Sequence, residues 1–404
     1  MRINRLIAII SAASLLPAVT LISGGSAADA LAAAGELTRS AAYFSAGVPI
    51  TAQTAAVQTA VQNPPDEPAA DNEKPAVTTP TATAPPAQTT TTQSAQTTQS
   101  TTAKANEDEP PAQSPARVIT QNITPFDDEL DYTSEGQYSG AIQRKTYKAT
   151  EGSQYITLAS GAAVQNCTED SNEVLLAAAS ELPPLQIEFD TPDPQVLIVH
   201  THATESFEPY QRSYFDEDFP SRTQGPSHNM IAVGDVLAQT LADNGISVVH
   251  DGTLHDYPAY TGSYDRSEET IRAVLEEYPS IKIVIDLHRD AIADADGTRI
   301  APAAQIDGKS AAQFMIIAGC DDGRFNMPNY MENFKLAALL QNTAEEMYPG
   351  LARPVLFDYR NYNQHITTGS LLIEVGSHAN SLDEALYTAE LLGNSMACAL
   401  WELS

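Results

Sequence analysis

From residue 192 to the carboxyl terminus, short apolar runs alternate with longer amphipathic stretches, and this alternation limits the possible folds more than any other feature of the chain. Val196–Val199 is a continuous apolar run of the kind found in buried parallel strands. Further runs of this kind begin at Ile246, Ile281, Phe314 and Leu371. Strands that alternate with helices predict an α/β domain over residues 191–404, with a mainly parallel, twisted sheet flanked by helices.

The stretches between these runs have helical periodicity. They predict four helices, at about 231–241, 268–278, 329–347 and 382–401. Asn244-Gly245 is typical of the end of the first helix. Ser267, which precedes Glu268, Glu269 and Thr270, is the predicted N-cap of the second.

The amino-terminal region has the pattern of an exported protein. Arg2 and Arg5 precede an apolar run that ends near residue 23, and Ala28–Ala30 offers a signal-peptidase site. The run is also close to the minimum length of a spanning helix. We therefore expect residues 1–30 to be a cleaved signal peptide or a membrane anchor, and both place the rest of the chain outside the cytoplasm.

Residues 31–116 are predicted to form a disordered Pro/Thr/Gln-rich tether. From residue 63 to 116, the only apolar residue larger than alanine, proline aside, is Val77. Such a segment cannot bury enough apolar surface to offset its ordering entropy. Residues 117–190 are mixed, and alternation at 155–158 and 185–189 predicts a small β-rich appendage to the α/β domain.

Charge and cysteine content exclude several classes of function. The chain has 52 acidic residues, 21 Lys plus Arg and a formal net charge of −31, which argues against binding to nucleic acid. Its three cysteines, Cys167, Cys320 and Cys398, have no C-x-x-C spacing and predict neither a disulfide framework nor a thiolate zinc site. A metal would need histidine and carboxylate ligands, and all eight histidines lie between His200 and His378.

Ionisable residues cluster where three of the predicted strands end. They are His200, His202 and Glu205 after the first strand, His288 and Arg289 after the third, and Glu374 in the last. Because the carboxyl ends of parallel strands meet at one edge of a sheet, these side chains are expected to converge. Histidines and carboxylates together suit Zn²⁺, and Glu374 is the candidate general base for a zinc-activated water.

Asp286 lies two residues before His288 and therefore on the same face of the strand. It either orients a histidine ligand or is a buried hydrogen-bond acceptor. A single histidine at a strand end is more often structural than a ligand, so the prediction depends on several strand ends converging.

Several strings of this sequence resemble the stage II sporulation protein P family. They include VLIVHTHATESF, HDYPAYTGSYDRSEETI, IVIDLHRDA and LLIEVGSHANSLDEA, and the resemblance covers roughly residues 140–404. It implies an amidase-like fold and a zinc-dependent N-acetylmuramoyl-L-alanine amidase, a peptidoglycan hydrolase that acts at the septal cell wall during forespore engulfment. It also implies membrane anchoring, cleavage of peptide cross-links, and stage II sporulation proteins D and M as partners.

The resemblance also implies roles for individual residues. The superfamily pattern is His, Glu, His and a late catalytic Glu. His202 fits the first ligand, with His200 as its rival, and His288 fits the third. Glu374 matches the catalytic glutamate, with Asn380 further along the chain.

The second ligand departs from the superfamily pattern. A glutamate is expected just before the first long helix, but that place holds Ser227-His228-Asn229. Either His228 takes its place, which its position before the helix favours, or Glu205 supplies the carboxylate. Because of this departure, the alternative function is that of a catalytically inactive cell-wall-binding module derived from an amidase. Arg289 is expected to stabilise an oxyanion or bind a stem-peptide carboxylate, or else to form a salt bridge with a neighbouring aspartate.

Overall fold

A computed structural model describes residues 116–126, 132–149 and 152–404. The expected signal or anchor and all but the last residue of the expected tether lie outside the described residues. Within the described ranges, no helix is both long enough and apolar enough to cross a membrane.

The described chain contains thirteen strands and five helices. The strands are β1 Val118–Gln121, β2 Gly140–Lys145, β3 Tyr155–Thr157, β4 Ala163–Asn166, β5 Val196–Val199, β6 Tyr214–Phe215, β7 Val248–Asp251, β8 Ile283–Asp290, β9 Arg299–Ile306, β10 Lys309–Ala312, β11 Phe314–Gly319, β12 Val355–Asp358 and β13 Ser370–Ser377. The helices are α1 Asn172–Ala178, α2 Met230–Asp243, α3 Ser263–Glu277, α4 Tyr330–Met347 and α5 Leu382–Trp401.

Nine strands form the main sheet, in the order β1-β7-β5-β8-β13-β11-β12-β4-β3. All neighbours are parallel except the β13–β11 and β4–β3 pairs. The predicted fold class, an α/β domain with a mainly parallel sheet, is therefore confirmed.

Both faces of the sheet are covered, which explains the continuous apolar runs. Ile198 and Ile285 belong to the large core cluster that also contains residues of α2, α4 and α5. Their neighbours Leu197 and Val284 point to the other face and pack in a second cluster with Ile271 of α3. Because successive side chains of a strand alternate between faces, a strand buried on both faces needs apolar residues at every position.

A second sheet has four strands, in the order β10-β9-β2-β6. The hairpin of β9 and β10 turns at Asp307-Gly308, whose φ angles of 50° and 77° fit a type I′ turn. The sequence prediction missed this hairpin although Asp-Gly is a strong turn signal. It also missed β12.

Residues 117–190 contain four short strands, β1 to β4, and these strands belong to both sheets. Strand β1 pairs with β7 at one edge of the main sheet, and β4 pairs with β12 at the other. Strand β2 lies between β9 and β6 in the second sheet. The fold therefore does not divide at residue 191.

Two local predictions were wrong. Residues 185–189 form no strand, although the Ile187 amide donates to the carbonyl of Leu403 at 2.9 Å. Ser267 is not an N-cap, because α3 begins at Ser263, after Gly262 with φ 79°. Ser267 lies buried inside the helix, and its hydroxyl donates to the Tyr264 carbonyl at 3.1 Å.

A fragment comprising residues 191–404 is expected to be much less stable than one comprising residues 117–404. The shorter fragment leaves β7 and β12 as open edges and removes the buried side chains of Val164 and Leu175 from the core. Each buried aliphatic side chain contributes about 1.5–3 kcal/mol. We expect the melting temperature to fall by more than about 10 °C, or the fragment to aggregate. Circular dichroism and size-exclusion chromatography test this, and equal melting of the two fragments would contradict it.

Candidate active site

A cleft of about 1020 Å³ opens at the carboxyl ends of β5, β8 and β13. Its wall includes His202 and Glu205, which follow β5, and His288, near the end of β8. Glu374 of β13 also lines the cleft, and it is the direct register partner of His288 on the adjacent parallel strand. The strand ends that the sequence pointed to therefore meet at one place.

Two imidazoles and a carboxylate converge in this cleft. The rings of His202 and His288 have centroids 5.2 Å apart and are nearly perpendicular, at 79°. His288 Nδ1 lies 3.9 Å from Glu205 Oε2. His202 Nδ1 is 3.4 Å from the hydroxyl of Ser263, so Nε2 is the nitrogen that remains for a ligand.

His288 and Asp286 form a buried ion pair. Asp286 Oδ1 is 2.8 Å from His288 Nε2, but the N–H is not aligned with it, and this nitrogen has no hydrogen-bond partner among the described residues. The Thr201 amide and hydroxyl donate to the same carboxylate at 2.8 and 2.7 Å. Burial alone lowers the pKa of His288, but the negative charge of Asp286 outweighs it and the pKa is raised. The pair therefore holds a proton that a metal cation would displace.

Glu374 has the properties of a proton-transfer group. Its Oε2 is buried and has no hydrogen-bond partner within the described part of the chain. Burial first, and the charge of Asp290 second, raise the pKa of Glu374 to about 8, against the opposing effects of His288 and Arg353. Arg353 holds Asp290 in place, with both Nη atoms 2.9 Å from Oδ2. A pKa near neutrality suits a group that takes up and returns a proton.

Arg289 lines the cleft, but its guanidinium bonds to backbone rather than to an aspartate carboxylate. Nε donates to the Ser206 carbonyl at 2.9 Å, Nη2 to that of Ser221 at 2.7 Å, and Nη1 to that of Asp290 at 3.2 Å. The Arg289 amide also donates to Glu205 Oε2 at 3.2 Å. Arg289 therefore fixes the loop that carries Glu205, and the expected salt bridge to an aspartate is absent from the described contacts.

His228 lies away from the other candidate ligands. Its ring stacks on Tyr132, with centroids 3.5 Å apart and planes 12° apart, and it is not among the described residues that line the cleft. The N-cap Asn229, whose side chain accepts the Ile231 amide, places His228 outside the helix. Of the two alternatives for the second ligand, the structure thus brings Glu205 to His288 and leaves His228 elsewhere.

His200 is held in a buried hydrogen-bond chain rather than in the cleft. Its Nδ1 lies 2.9 Å from the Leu287 carbonyl and its Nε2 lies 2.9 Å from Nε2 of His250, whose Nδ1 contacts Asp235 at 2.9 Å. A carbonyl can only accept, so Nδ1 of His200 donates and its Nε2 accepts from His250. Burial lowers the pKa of His200 to about 3, so the ring is neutral. Both ring nitrogens of His200 therefore have hydrogen-bond partners, which favours His202 over His200 as the first metal ligand.

Substituting Gly234 by alanine is expected to destabilise the domain. A Cβ there would lie 2.4 Å from His250 Nε2 and 2.7 Å from His200 Nε2. Overpacking costs about 1–3 kcal/mol, which exceeds the gain of about 1 kcal/mol in helix propensity. Urea unfolding measures the change. The control is Gly152→Ala, where the nearest atom is 3.7 Å from the new Cβ, and equal stability of the two variants would contradict the argument.

Aromatic residues complete the cleft, and the sequence reasoning assigned them no role. Tyr260 stacks on His202 with ring centroids 4.5 Å apart, and Tyr264 lies parallel to His288 at 6.4 Å. Burial, together with nearby carboxylates, raises the pKa of Tyr264. Both tyrosines belong to HDYPAYTGSYDRSEETI, a string that carried the family resemblance without indicating a function.

The family of the chain follows from comparison with known proteins. The family model described as Stage II sporulation protein P (SpoIIP) matches residues 48–397. The chain belongs to the stage II sporulation protein P family. Stage II sporulation protein P of Bacillus subtilis (strain 168) is 30% identical over 218 residues, 51% of this chain and 51% of that protein. The chain thus spans about half the length of this curated relative, and the resemblance inferred from the sequence strings is confirmed.

Solved amidases are also similar to this chain. N-acetylmuramoyl-L-alanine amidase AmiC2 of Nostoc punctiforme is 11% identical, with a TM-score of 0.30 over 52% of this chain and 96% of that chain. The CwlD amidase from Clostridioides difficile, solved in complex with the GerS lipoprotein, is 12% identical, with a TM-score of 0.31 over 51% of this chain and 94% of that chain.

Proposed function

We propose that this chain is a zinc-dependent peptidoglycan hydrolase that cleaves the N-acetylmuramoyl-L-alanine amide bond. The observation that carries the proposal is the convergence of His202, Glu205, His288 and Glu374 in one cleft from three separate segments of the chain. Membership of the stage II sporulation protein P family supports it.

His202, Glu205 and His288 are the proposed zinc ligands. With the side chains as they stand, no group of three or more His, Cys, Asp or Glu residues in the described ranges could hold a metal ion. The donor types nevertheless fit zinc, since two imidazoles and one carboxylate are a known set for catalytic zinc. The close contact of Asp286 with His288 Nε2 leaves Nδ1 facing Glu205, an arrangement typical of an oriented histidine ligand. Bound zinc would polarise the scissile carbonyl and acidify a water molecule.

The remaining steps belong to the side chains of the protein. Glu374 accepts the proton of the attacking water on its carboxylate and returns a proton to the leaving amine. Asp286 fixes the ring of His288, and the Asp290–Arg353 pair sets the charge beside Glu374. Arg289 holds the loop of Glu205 in position through the backbone carbonyls.

Family membership also supports the cellular setting that we propose. The protein would act outside the cytoplasm at the septal cell wall during engulfment, anchored to the membrane by its amino-terminal segment. Stage II sporulation proteins D and M are the proposed partners, and cleavage of peptide cross-links is a proposed second activity. Each of these points rests on the family.

Digestion of purified cell wall tests the proposal. The full chain with zinc is expected to release stem peptides from glycan strands, detected by mass spectrometry, and a chelator is expected to abolish the release. A zinc-loaded protein that binds cell wall but releases no peptide would favour the inactive wall-binding module, the alternative raised by Ser227-His228-Asn229 at the place of the expected glutamate.

A further inference from the structure

The described arginines that line the cleft differ in what they bind. They are Arg222, Arg289, Arg324 and Arg360. Arg324 and Arg360 pair with the nearby aspartates Asp322 and Asp358, at 2.7 and 2.9 Å. Arg289 is buried and donates to backbone carbonyls. Among these four arginines, Arg222 is the one whose side chain contacts a proposed zinc ligand, Glu205. Its side chain is 38% exposed.

The guanidinium of Arg222 is held in a defined position. Its Nη1 lies 2.6 Å from Oδ2 of Asp256, whose side chain is fully buried. Asp256 in turn accepts from the amide and hydroxyl of Thr204, at 3.3 and 2.6 Å. The Arg222 guanidinium carbon lies 4.9 Å from the centroid of the Tyr260 ring, within cation–π range. Fixing a cation in this way lowers the entropy cost of binding an anion.

Arg222 also stands next to the reacting centre. Its Nη2 is 3.3 Å from Glu205 Oε1, and Tyr260, which it contacts, stacks on His202. Three of the five N–H groups of a guanidinium are accounted for by hydrogen bonds to Thr204, Asp256 and Glu205. Asp256 stays paired with the guanidinium, so a carboxylate would bind through the N–H groups that these three bonds leave rather than through an unpaired charge.

We propose that Arg222, packed against Tyr260, forms a subsite for a carboxylate of the substrate peptide. This inference rests on the proposed function. In a peptidoglycan stem a D-glutamyl residue follows L-alanine, so a carboxylate or its amide lies one residue from the scissile bond. A guanidinium binds a carboxylate through two parallel hydrogen bonds, whereas the amide loses both the charge and one acceptor. The subsite therefore selects stems whose second residue is not amidated.

Two dipeptide ligands that differ at one group test the subsite. They are N-acetylmuramoyl-L-alanyl-D-glutamate whose γ-carboxyl is blocked as a methylamide, and the α-amide of the same compound. Calorimetry measures their binding to the zinc-loaded full chain carrying Glu374→Gln. A charge-assisted hydrogen bond contributes about 1.5–3 kcal/mol, so the acid should bind about 10- to 100-fold more tightly. Adding Arg222→Gln should reduce this preference to less than about threefold, and Arg222→Lys should keep part of it.

Controls separate this inference from the proposed function. Arg324→Gln should keep the full preference for the acid, and zinc content should be unchanged in every variant. In the active chain, Arg222→Gln should raise KM for acid stems by a larger factor than KM for amidated stems, whereas general loss of structure would affect both equally. If the Glu374→Gln chain binds both dipeptides equally and the unmodified chain cleaves cell wall, the subsite alone is overturned. If the chain neither binds the dipeptides nor cleaves cell wall, both proposals are overturned.

Discussion

Glu374→Gln is expected to reduce the rate of stem-peptide release by about 10²- to 10⁴-fold, the usual contribution of a positioned general acid–base group. Glutamine preserves the size of the side chain and removes its ability to carry a proton. Because Oε2 of Glu374 is buried without a partner, the substitution breaks no hydrogen bond at that oxygen within the described structure. Zinc content and melting temperature are therefore expected to stay close to those of the unmodified protein.

Single-turnover digestion of purified cell wall measures this effect. Glu276→Gln on the exposed face of α3 is a matched control that should leave the rate unchanged. The pKa of Glu374 is raised to about 8 without metal, and the charge of a bound cation would favour the carboxylate. The acid limb of the pH–rate profile is therefore expected below pH 8. A Glu374→Gln variant with full activity would show that another group takes the proton.

His288→Ala is expected to lower the zinc content from about one ion per chain to less than about 0.1, because catalytic zinc needs three protein ligands. His202→Ala and Glu205→Gln should have the same effect. His228→Ala should retain its zinc, since the His228 ring stacks on Tyr132 away from the cleft. Elemental analysis after dialysis measures the content.

Folding must be checked in the same variants. His288→Ala leaves the buried carboxylate of Asp286 without its cationic partner, and breaking a buried pair costs about 3–5 kcal/mol. The double variant Asp286→Asn, His288→Ala removes both charges and should restore stability without restoring zinc. Loss of zinc in His228→Ala together with full zinc in Glu205→Gln would show that the second ligand had been assigned to the wrong residue.

The amino-acid sequence was sufficient to predict those helices and strands whose local pattern of apolar residues reflects burial. The helix at residues 382–401 was predicted with its observed bounds, because apolar periodicity is a local signal. The structure adds a capping box of Ser381 with Glu384 at its amino terminus. The end of the first strand, before His200 and His202, was placed correctly for a similar reason, whereas β8 continues to Asp290 and includes His288. In a parallel sheet the place where a buried strand stops also fixes the edge at which its last residues emerge.

Only the tertiary structure could decide among partners that are distant in sequence. The choice between Glu205 and His228 depends on how the loop after β5 folds back to β8, and Arg289 holds that loop through carbonyls 83 and 68 residues away. Strands β1 and β4 complete a sheet whose other members lie far along the chain, and no local pattern records such pairing. Periodicity thus determined the helices, most strands of the main sheet after residue 191 and the edge of the sheet where the chemistry lies, but not β12 or the β9–β10 hairpin. Long-range packing determined which side chains meet there, because contact between distant residues depends on the path of the whole backbone.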